Sequence, residues 1–102
     1  MHRARDRVEH EEWLSRIDAA AADLDLDAEA RANAVDLFLS HIPEGERSKR
    51  AVAAASLYAG ALVAGEERSQ SAVADALDAS RLSVQQRWKD LLADAGFRVP
   101  DW

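Results

Sequence analysis

The sequence contains no cysteine, only two prolines and only four glycines in 102 residues. Without cysteine, a disulfide framework, a thiolate zinc site and a cysteine nucleophile are all excluded. The first residues contain no apolar run of the kind that a secretory signal needs. The uncharged stretch 51–64 is too short for a bilayer, which takes about 18 to 20 apolar residues. We therefore expect a cytoplasmic protein that makes no contact with a membrane.

Lysine is also scarce, with two residues against eleven arginines, and the formal net charge is −6. Abundant alanine, aspartate and arginine resemble the composition of proteins from halophilic archaea, although a GC-rich genome favours the same residues. Overall acidity argues against a non-specific coat on nucleic acid. It leaves room for a small local contact surface.

The length predicts one domain, and a chain of this size buries roughly 65% of the surface that its unfolded form exposes. We predict a flexible N-terminal arm over residues 1–7 and a single domain over residues 8–102. The arm carries Arg3, Arg5 and Arg7, so a basic segment that reaches DNA is an alternative to a frayed end. No strand pattern is present. Apolar spacing predicts five helices, over residues 8–24, 28–41, 48–65, 70–77 and 81–95.

The third of these helices organises the rest. A helix without a charged or polar face is typical of burial on all sides, and residues 51–64 carry no charge. Ser48 is the expected N-cap, and Gly65 marks the end of the helix. Lys49 and Arg50 would then lie in the first turn, where the helix dipole disfavours cations, which suggests an external role for one of them.

The other helices should each turn an apolar face toward this central helix. In the first helix that face consists of Leu14, Ile17, Ala21 and Leu24, with Trp13 beside it. Asp27, Ser69 and Ser80 are the expected N-caps of the second, fourth and fifth helices. The C-terminal residues Phe97, Val99 and Trp102 are apolar enough to fold back onto the domain.

Residues 73–92 have the form of a helix-turn-helix. A small residue, Ala74, stands where the two helices would cross, and a turn follows at Asp78, a residue type that tolerates the left-handed region. The second helix then begins at Ser80 and buries Val84. In such a unit, polar side chains at the start of the second helix can enter a major groove.

The candidate groove-facing side chains include three cations and no acid between residues 81 and 89. Arginine can pair with guanine and glutamine with adenine, each through two hydrogen bonds. Two helices joined by a short turn also occur in many helical domains that never touch DNA, so the pattern alone leaves both interpretations open. The candidates are Ser80, Arg81, Ser83, Gln85, Gln86 and Lys89.

Nothing in the sequence indicates catalysis or metal binding. The histidines His2, His10 and His41 lack the paired spacing of metal ligands. The carboxylates fall on exposed faces or at helix starts, so none is a desolvated general acid. We expect no catalytic residues, no metal site, no cofactor and no enzymatic activity.

Four short motifs in order resemble one known family. They are AAASLYA at residues 53–59, GEERS at 65–69, VA at 73–74 and RWKDL at 87–91. Over about residues 8–100 the chain resembles the cyclin-like repeat of archaeal transcription factor B, the counterpart of eukaryotic transcription initiation factor IIB. That resemblance implies an all-α, five-helix cyclin-like domain with a buried third helix and a C-terminal helix-turn-helix. The family's zinc ribbon, its polymerase-entering segment and its second repeat have no equivalent here.

The resemblance also implies a function. Two such repeats in the full factor bind the TATA-binding protein and promoter DNA, and Ser83, Gln85, Gln86 and Arg87 fall where the family contacts DNA. A structural role for Arg87 stays open, because it follows Val84 toward the expected core side.

We therefore expect a small transcription-initiation-factor-like regulator that binds promoter DNA, the TATA-binding protein or both. Two copies could pair to imitate the two-repeat unit. In this interpretation Arg81, Gln85 and Gln86 read bases, whereas Lys89, Arg87 or Lys49 hold phosphate. The alternative is a cyclin-fold protein-interaction module that does not contact DNA.

Overall fold

Five helices and no strand make up the part of the chain that the computed structural model describes, residues 8–100. They are α1 (Glu11–Asp23), α2 (Ala28–Ser40), α3 (Glu46–Val63), α4 (Gln70–Ala76) and α5 (Arg81–Asp94). The prediction of an all-α domain is confirmed. The predictions for the arm at residues 1–7 and for Trp102 lie outside the described residues.

Helix α3 lies at the centre of the domain, and the other four helices all contact it. Every residue from 51 to 61 is buried, which amounts to three successive turns without an exposed side. Burial on all sides is therefore confirmed for this helix. The small side chains allow the close approach of its main neighbours, α2 and α5.

Helices α2 and α3 approach each other closely at Gly60. A Cβ atom at Gly60 would lie 2.7 Å from the backbone nitrogen of Ala34 and 3.1 Å from the carbonyl oxygen of Ala30. The side chain of Asn33 donates a hydrogen bond to the Gly60 carbonyl oxygen, at 3.2 Å. Glycine is therefore required here by contact between two helix backbones.

Three helices begin at the side-chain N-caps that the sequence predicts, Asp27, Ser69 and Ser80. The Asp27 carboxylate accepts from the amides of Glu29 and Ala30 at the start of α2. The Ser69 hydroxyl accepts from the Ala72 amide at the start of α4. These hydrogen bonds satisfy amides that the first helical turn leaves free.

The start of α3 differs from the prediction. The helix begins at Glu46 with Gly45 as its N-cap, so Ser48 lies inside the first turn and does not cap the helix. Glu46 in the first turn favours this earlier start, because a carboxylate is stabilised by the positive end of the helix dipole. Lys49 then lies beyond the first three residues and forms an ion pair with Glu46, at 3.7 Å.

Helix α1 is shorter than predicted and is rotated relative to the expected face. A turn at His10 separates the helical residues 8 and 9 from α1. Trp13, expected beside the core, is buried within it, whereas Leu14 is only half-buried. The Trp13 ring packs near Phe38, with 6.4 Å between ring centroids. The larger ring takes the inward position and displaces the leucine to the edge of the face.

The C-terminal segment only partly follows the prediction. Val99 packs against the core, but Phe97 is 41% exposed. Gly96 adopts φ +87° and reverses the chain, after which the Phe97 amide donates to the carbonyl oxygen of Leu92. This helix-closing turn fixes the Phe97 backbone and leaves the ring at the surface.

Candidate nucleic-acid interface

Helices α4 and α5 are joined by a tight turn, and together we call them the α4–α5 unit. Asp78 has φ +54° in the turn, as its residue type predicted. The Ala79 amide donates back to the carbonyl oxygen of Ala74, at 2.9 Å. The Ser80 hydroxyl then accepts from the Ser83 amide and caps α5. The unit therefore holds α5 in a fixed orientation with its N-terminus outward.

The face of α5 that is turned inward is apolar, and Val84, Trp88, Leu91 and Leu92 are buried there. Arg87 is exposed, so the expectation that it lies toward the core is wrong. Val84 and Trp88 fill the inward positions on either side of it, which leaves Arg87 at the surface. The exposed residues of the first two turns are Arg81, Leu82, Gln85, Gln86 and Arg87.

Two other candidate residues are half-buried. The Ser83 hydroxyl lies 2.8 Å from that of Ser80, so the two share a hydrogen bond at the helix start. The Lys89 amine lies 5.5 Å from the centroid of the Trp88 ring. A cation in that position is attracted to the ring face.

Leu82 is a residue that sequence reasoning missed. It is 62% exposed on the first turn of α5, between the arginine and the serine of the candidate set. Its spacing in the sequence could have predicted its exposure, because Leu82 does not stand at the inward positions that Val84 and Trp88 occupy. It adds an apolar group to an otherwise polar face.

A cleft of about 520 Å³ separates the start of α3 from the turn before α5. Its polar lining consists of Arg47, Arg50, Asp78, Ser80 and Ser83. Lys49, the predicted phosphate contact, is not among the lining residues, whereas Arg47 is. The run RSKR at residues 47–50 was the only signal in the sequence for this cation, and it does not reveal which of its members faces the turn.

Arg50 has a structural partner in the same region. Its Nη1 atom donates to the carbonyl oxygen of Leu77, at 2.9 Å, and its guanidinium lies 5.5 Å from the centroid of the Trp13 ring. This contact joins α3 to the end of α4. Arg47 carries the exposed positive charge at the cleft, and Arg50 holds the end of α4 against α3.

Tyr58 lies beneath α5 as a core residue. Its ring meets the Trp88 ring edge to face, with 5.2 Å between centroids. Burial raises the pKa of the Tyr58 phenol, and a hydrogen bond from Gln70 opposes that rise. The phenol is therefore neutral at physiological pH and serves as a hydrogen-bonding group.

Among residues 8–100, no three histidine, aspartate or glutamate side chains lie close enough together to hold a metal ion. Over the same residues, no helix has the length and apolar character needed to cross a membrane.

Comparison with known proteins places the chain in a family. Residues 13–94 match the model of the transcription factor TFIIB repeat. Transcription initiation factor IIB of Pyrococcus abyssi is 31% identical over 83 residues, which cover 78% of this chain and 28% of that protein. The corresponding factor of Pyrococcus horikoshii gives the same values. Transcription initiation factor IIB 2 of Thermococcus kodakarensis is 30% identical over 90 residues, covering 85% of this chain and 29% of that protein.

The match spans all of α2 to α5 and most of α1, so it includes both the central helix and the α4–α5 unit. The chain covers a little over a quarter of the length of these relatives. With its five helices around a buried third one, the chain belongs to the TFIIB repeat family and has that family's cyclin-like fold.

Proposed function

We propose that this chain is a transcription-initiation-factor-like regulator that places α5 in the major groove of promoter DNA, with the TATA-binding protein as its protein partner. The observation that carries the proposal is the exposed face of the first two turns of α5. In a chain of net charge −6, residues 81–89 contain three cations and no acid. A recognition helix in a helix-turn-helix contacts bases with its N-terminal residues, and here those residues are the exposed ones.

The exposed side chains divide by chemistry. Arg81, Gln85 and Gln86 have the hydrogen-bonding groups that read base edges, and Leu82 offers an apolar contact for a thymine methyl group. Arg87 and Lys89 are suited to phosphate. Phosphate contacts set the position of the helix on the duplex but carry no sequence information directly.

Arg47 is a better phosphate ligand than Lys49 in this proposal. Arg47 is exposed at the cleft beside Ser80, close to the N-terminus of α5. Lys49 is paired with Glu46 and would lose that partner on binding phosphate. A planar guanidinium also matches a phosphate better than an ammonium does.

The acids of α5 limit the contact to its first half. Asp90 is exposed, and the Asp94 carboxylate lies 3.6 Å from the Nε2 atom of His41, the residue that follows α2. Carboxylates in these positions would repel phosphates at the C-terminal half. An approach with the N-terminus leading avoids this repulsion.

Fluorescence anisotropy of a labelled TATA-containing duplex tests the proposal. The protein is titrated at high potassium chloride, with and without the TATA-binding protein of a halophilic archaeon. We expect binding that appears or sharpens when the TATA-binding protein is present. The variants Arg81→Ala and Gln85→Ala should weaken it about tenfold each, since a good base contact is worth about 1–3 kcal/mol.

Arg98→Ala is the matched control, because it removes the same charge from an exposed position beyond α5. It should leave binding within about twofold of the wild type, since an exposed charge remote from the contact makes only a small contribution. All variants should keep wild-type helicity by circular dichroism. A folded protein that binds in neither condition would overturn the proposal. That outcome would favour the protein-interaction module, for which Arg81→Ala and Gln85→Ala should be silent.

A further inference from the structure

The two glutamines Gln70 and Gln85 are joined across the α4–α5 unit. Gln70 is the first residue of α4, and Gln85 is on the second turn of α5. The Nε2 atom of Gln70 donates to the Oε1 atom of Gln85, at 2.6 Å. The side chain expected to read adenine is thus already engaged by another side chain of the same protein.

Gln70 is itself held in place. It is half-buried, and its Oε1 atom is buried without a hydrogen-bond partner among residues 8–100, so its Nε2 contact to Gln85 is the hydrogen bond that orients its amide. The Gln70 amide is near the phenol of Tyr58 and lowers the pKa of that phenol, and the Tyr58 ring packs against Trp88 on the inner side of α5. Gln70 therefore lies between the buried face of α3 and the exposed face of α5, where its partial burial limits its rotation.

This contact decides which atoms of Gln85 are available. A bidentate pair with adenine requires the amide oxygen and the amide nitrogen to point together at the N6 and N7 atoms of one base. The Gln85 oxygen points instead toward α4. The carbonyl has a second lone pair, but the orientation of the amide prevents both atoms from reaching one base edge.

We propose that Gln70 is a positioning residue that sets the base preference of Gln85, by holding its oxygen so that only the Nε2 donor faces the DNA. Gln85 then selects an acceptor in the major groove, which is N7 or O6 of guanine or O4 of thymine. This inference rests on the proposed function, since it specifies how one residue of the same face reads DNA.

Two substitutions at Gln70 should change the preference in different ways. In Gln70→Ala the Gln85 amide is released and can pair with adenine through both atoms. In Gln70→Glu the carboxylate can only accept, so Gln85 must turn its Nε2 atom toward it and present its oxygen to the groove. That oxygen selects a donor, which is N4 of cytosine or N6 of adenine. Glutamate is also favourable at the first position of a helix, so this variant should fold.

Selection from a pool of duplex DNA with a randomised stretch measures the preference, with the TATA-binding protein present for all proteins. We expect the wild type to enrich guanine or thymine at one position. There, Gln70→Ala should raise adenine relative to guanine by about tenfold, and Gln70→Glu should shift the preference to cytosine or adenine by a similar factor. Preferences at the other positions should not change.

Two controls separate positioning from a general structural effect. Ser71→Ala, at the next and exposed residue of α4, should leave every preference unchanged. In a Gln85→Ala background the preference at this position should disappear, and Gln70 substitutions should then have no effect on it. A shift that persists without Gln85 would overturn the inference.

A measurement without DNA distinguishes failure of this inference from failure of the proposed function. The side-chain amide resonances of Gln85 in the free protein should move in Gln70→Ala and stay unchanged in Ser71→Ala. If they move as expected but no protein selects any DNA, the proposed function is overturned and the base-reading role falls with it. If the wild type selects DNA and the Gln70 variants select the same bases, the inference alone is overturned.

Discussion

Gly60 is the glycine at which an added Cβ atom has the least room. The three atoms nearest to an added Cβ atom are all backbone atoms of α2, the first at 2.7 Å, so side-chain rotation cannot relieve the contact. We expect Gly60→Ala to lower the free energy of unfolding by about 1–3 kcal/mol, the usual range for overpacking. Urea unfolding followed by circular dichroism measures this change.

The sign of that change is diagnostic. An unhindered glycine-to-alanine substitution within a helix stabilises by about 1 kcal/mol, because alanine has the higher helix propensity. A more stable Gly60→Ala protein would therefore contradict the close approach of α2 and α3. Loss of the Asn33 contact to the Gly60 carbonyl oxygen should accompany destabilisation, and the Asn33 side-chain amide resonance reports it.

Asp27 and Glu66 form a carboxylate pair between the loops that precede α2 and α4. The Glu66 carboxylate also accepts from the Asp27 amide, at 3.3 Å. The hydrogen bond to the Glu66 side chain, together with those from the helix amides, lowers the pKa of Asp27 below its ordinary value of 3.8. The same side-chain hydrogen bond raises the pKa of Glu66 above 4.5. In mild acid the shared proton therefore stays on Glu66.

The two shifts act on stability in opposite senses. The contribution of Asp27 is present above its ordinary pKa and is lost as the pH falls through the lowered value. The contribution of Glu66 is present below 4.5 and is lost as the pH rises through the raised value.

We expect Asp27→Asn to keep the cap of α2, since asparagine caps as well as aspartate. The same substitution should move the pKa of Glu66 back down toward its ordinary value. Carboxyl ¹³C resonances followed through an acid titration measure this, and an unchanged Glu66 pKa would contradict the pairing.

At the scale of elements, Arg50 determines how firmly the α4–α5 unit is attached to α3. Its hydrogen bond to the Leu77 carbonyl oxygen is at the end of α4, immediately before the turn. Arg50→Met keeps most of the aliphatic length but removes the donors. We expect a loss of about 1.5–3 kcal/mol, the usual value for a hydrogen bond to a charged group, and faster hydrogen exchange at the Asp78 and Ala79 amides.

Arg47→Met is the matched control on the same helix. Arg47 is exposed, so its substitution should change stability by less than about 0.5 kcal/mol. Equal effects from the two variants would show that the contact between Arg50 and Leu77 does not brace the turn.

The elements themselves were largely predictable, because their signals are local. The burial of α3 followed from the absence of charge between residues 51 and 64. Asp27, Ser69 and Ser80 were identifiable as caps because each is followed at once by a helical pattern. Ser48 was wrongly predicted as the cap of α3, because it too is followed at once by a helical pattern. That pattern does not show that the helix already begins after Gly45.

The candidate interface was predictable only in part. The exposed positions of α5 follow from its inward spacing, and so does the exposure of Leu82 once Val84 and Trp88 are placed. The engagement of Gln85 by Gln70 joins residues 15 apart in the sequence and depends on how α4 crosses α5. The place of Arg47 at the cleft depends on the packing of α3 against the turn. Such contacts depend on tertiary geometry, which periodicity does not encode.

At the scale of the whole molecule, charge sets how binding should respond to salt. The net charge is −6, yet the proposed DNA face presents Arg47, Arg81 and Arg87 exposed, with no ion pair to them within residues 8–100. Lys49 is paired with Glu46. Because Arg81 is assigned to base edges in the proposed function, Arg47, Arg87 and Lys89 are the cations left for about three phosphate contacts.

Each neutralised phosphate contributes about −0.9 to the slope of the logarithm of the binding constant against the logarithm of the salt concentration. We expect a slope of about −3 for this protein on duplex DNA, which is shallow for a DNA-binding domain. Anisotropy titrations over a range of potassium chloride concentrations measure it, and Arg87→Ala should reduce its magnitude by about 1. Arg98→Ala should leave the slope unchanged.

A slope near zero would mean that no phosphate is contacted, and a slope steeper than about −6 would require more cations than this face presents. Either result would contradict the docking of α5 described above. With a slope of about −3, base contacts and the proposed protein partner would supply most of the affinity in molar salt.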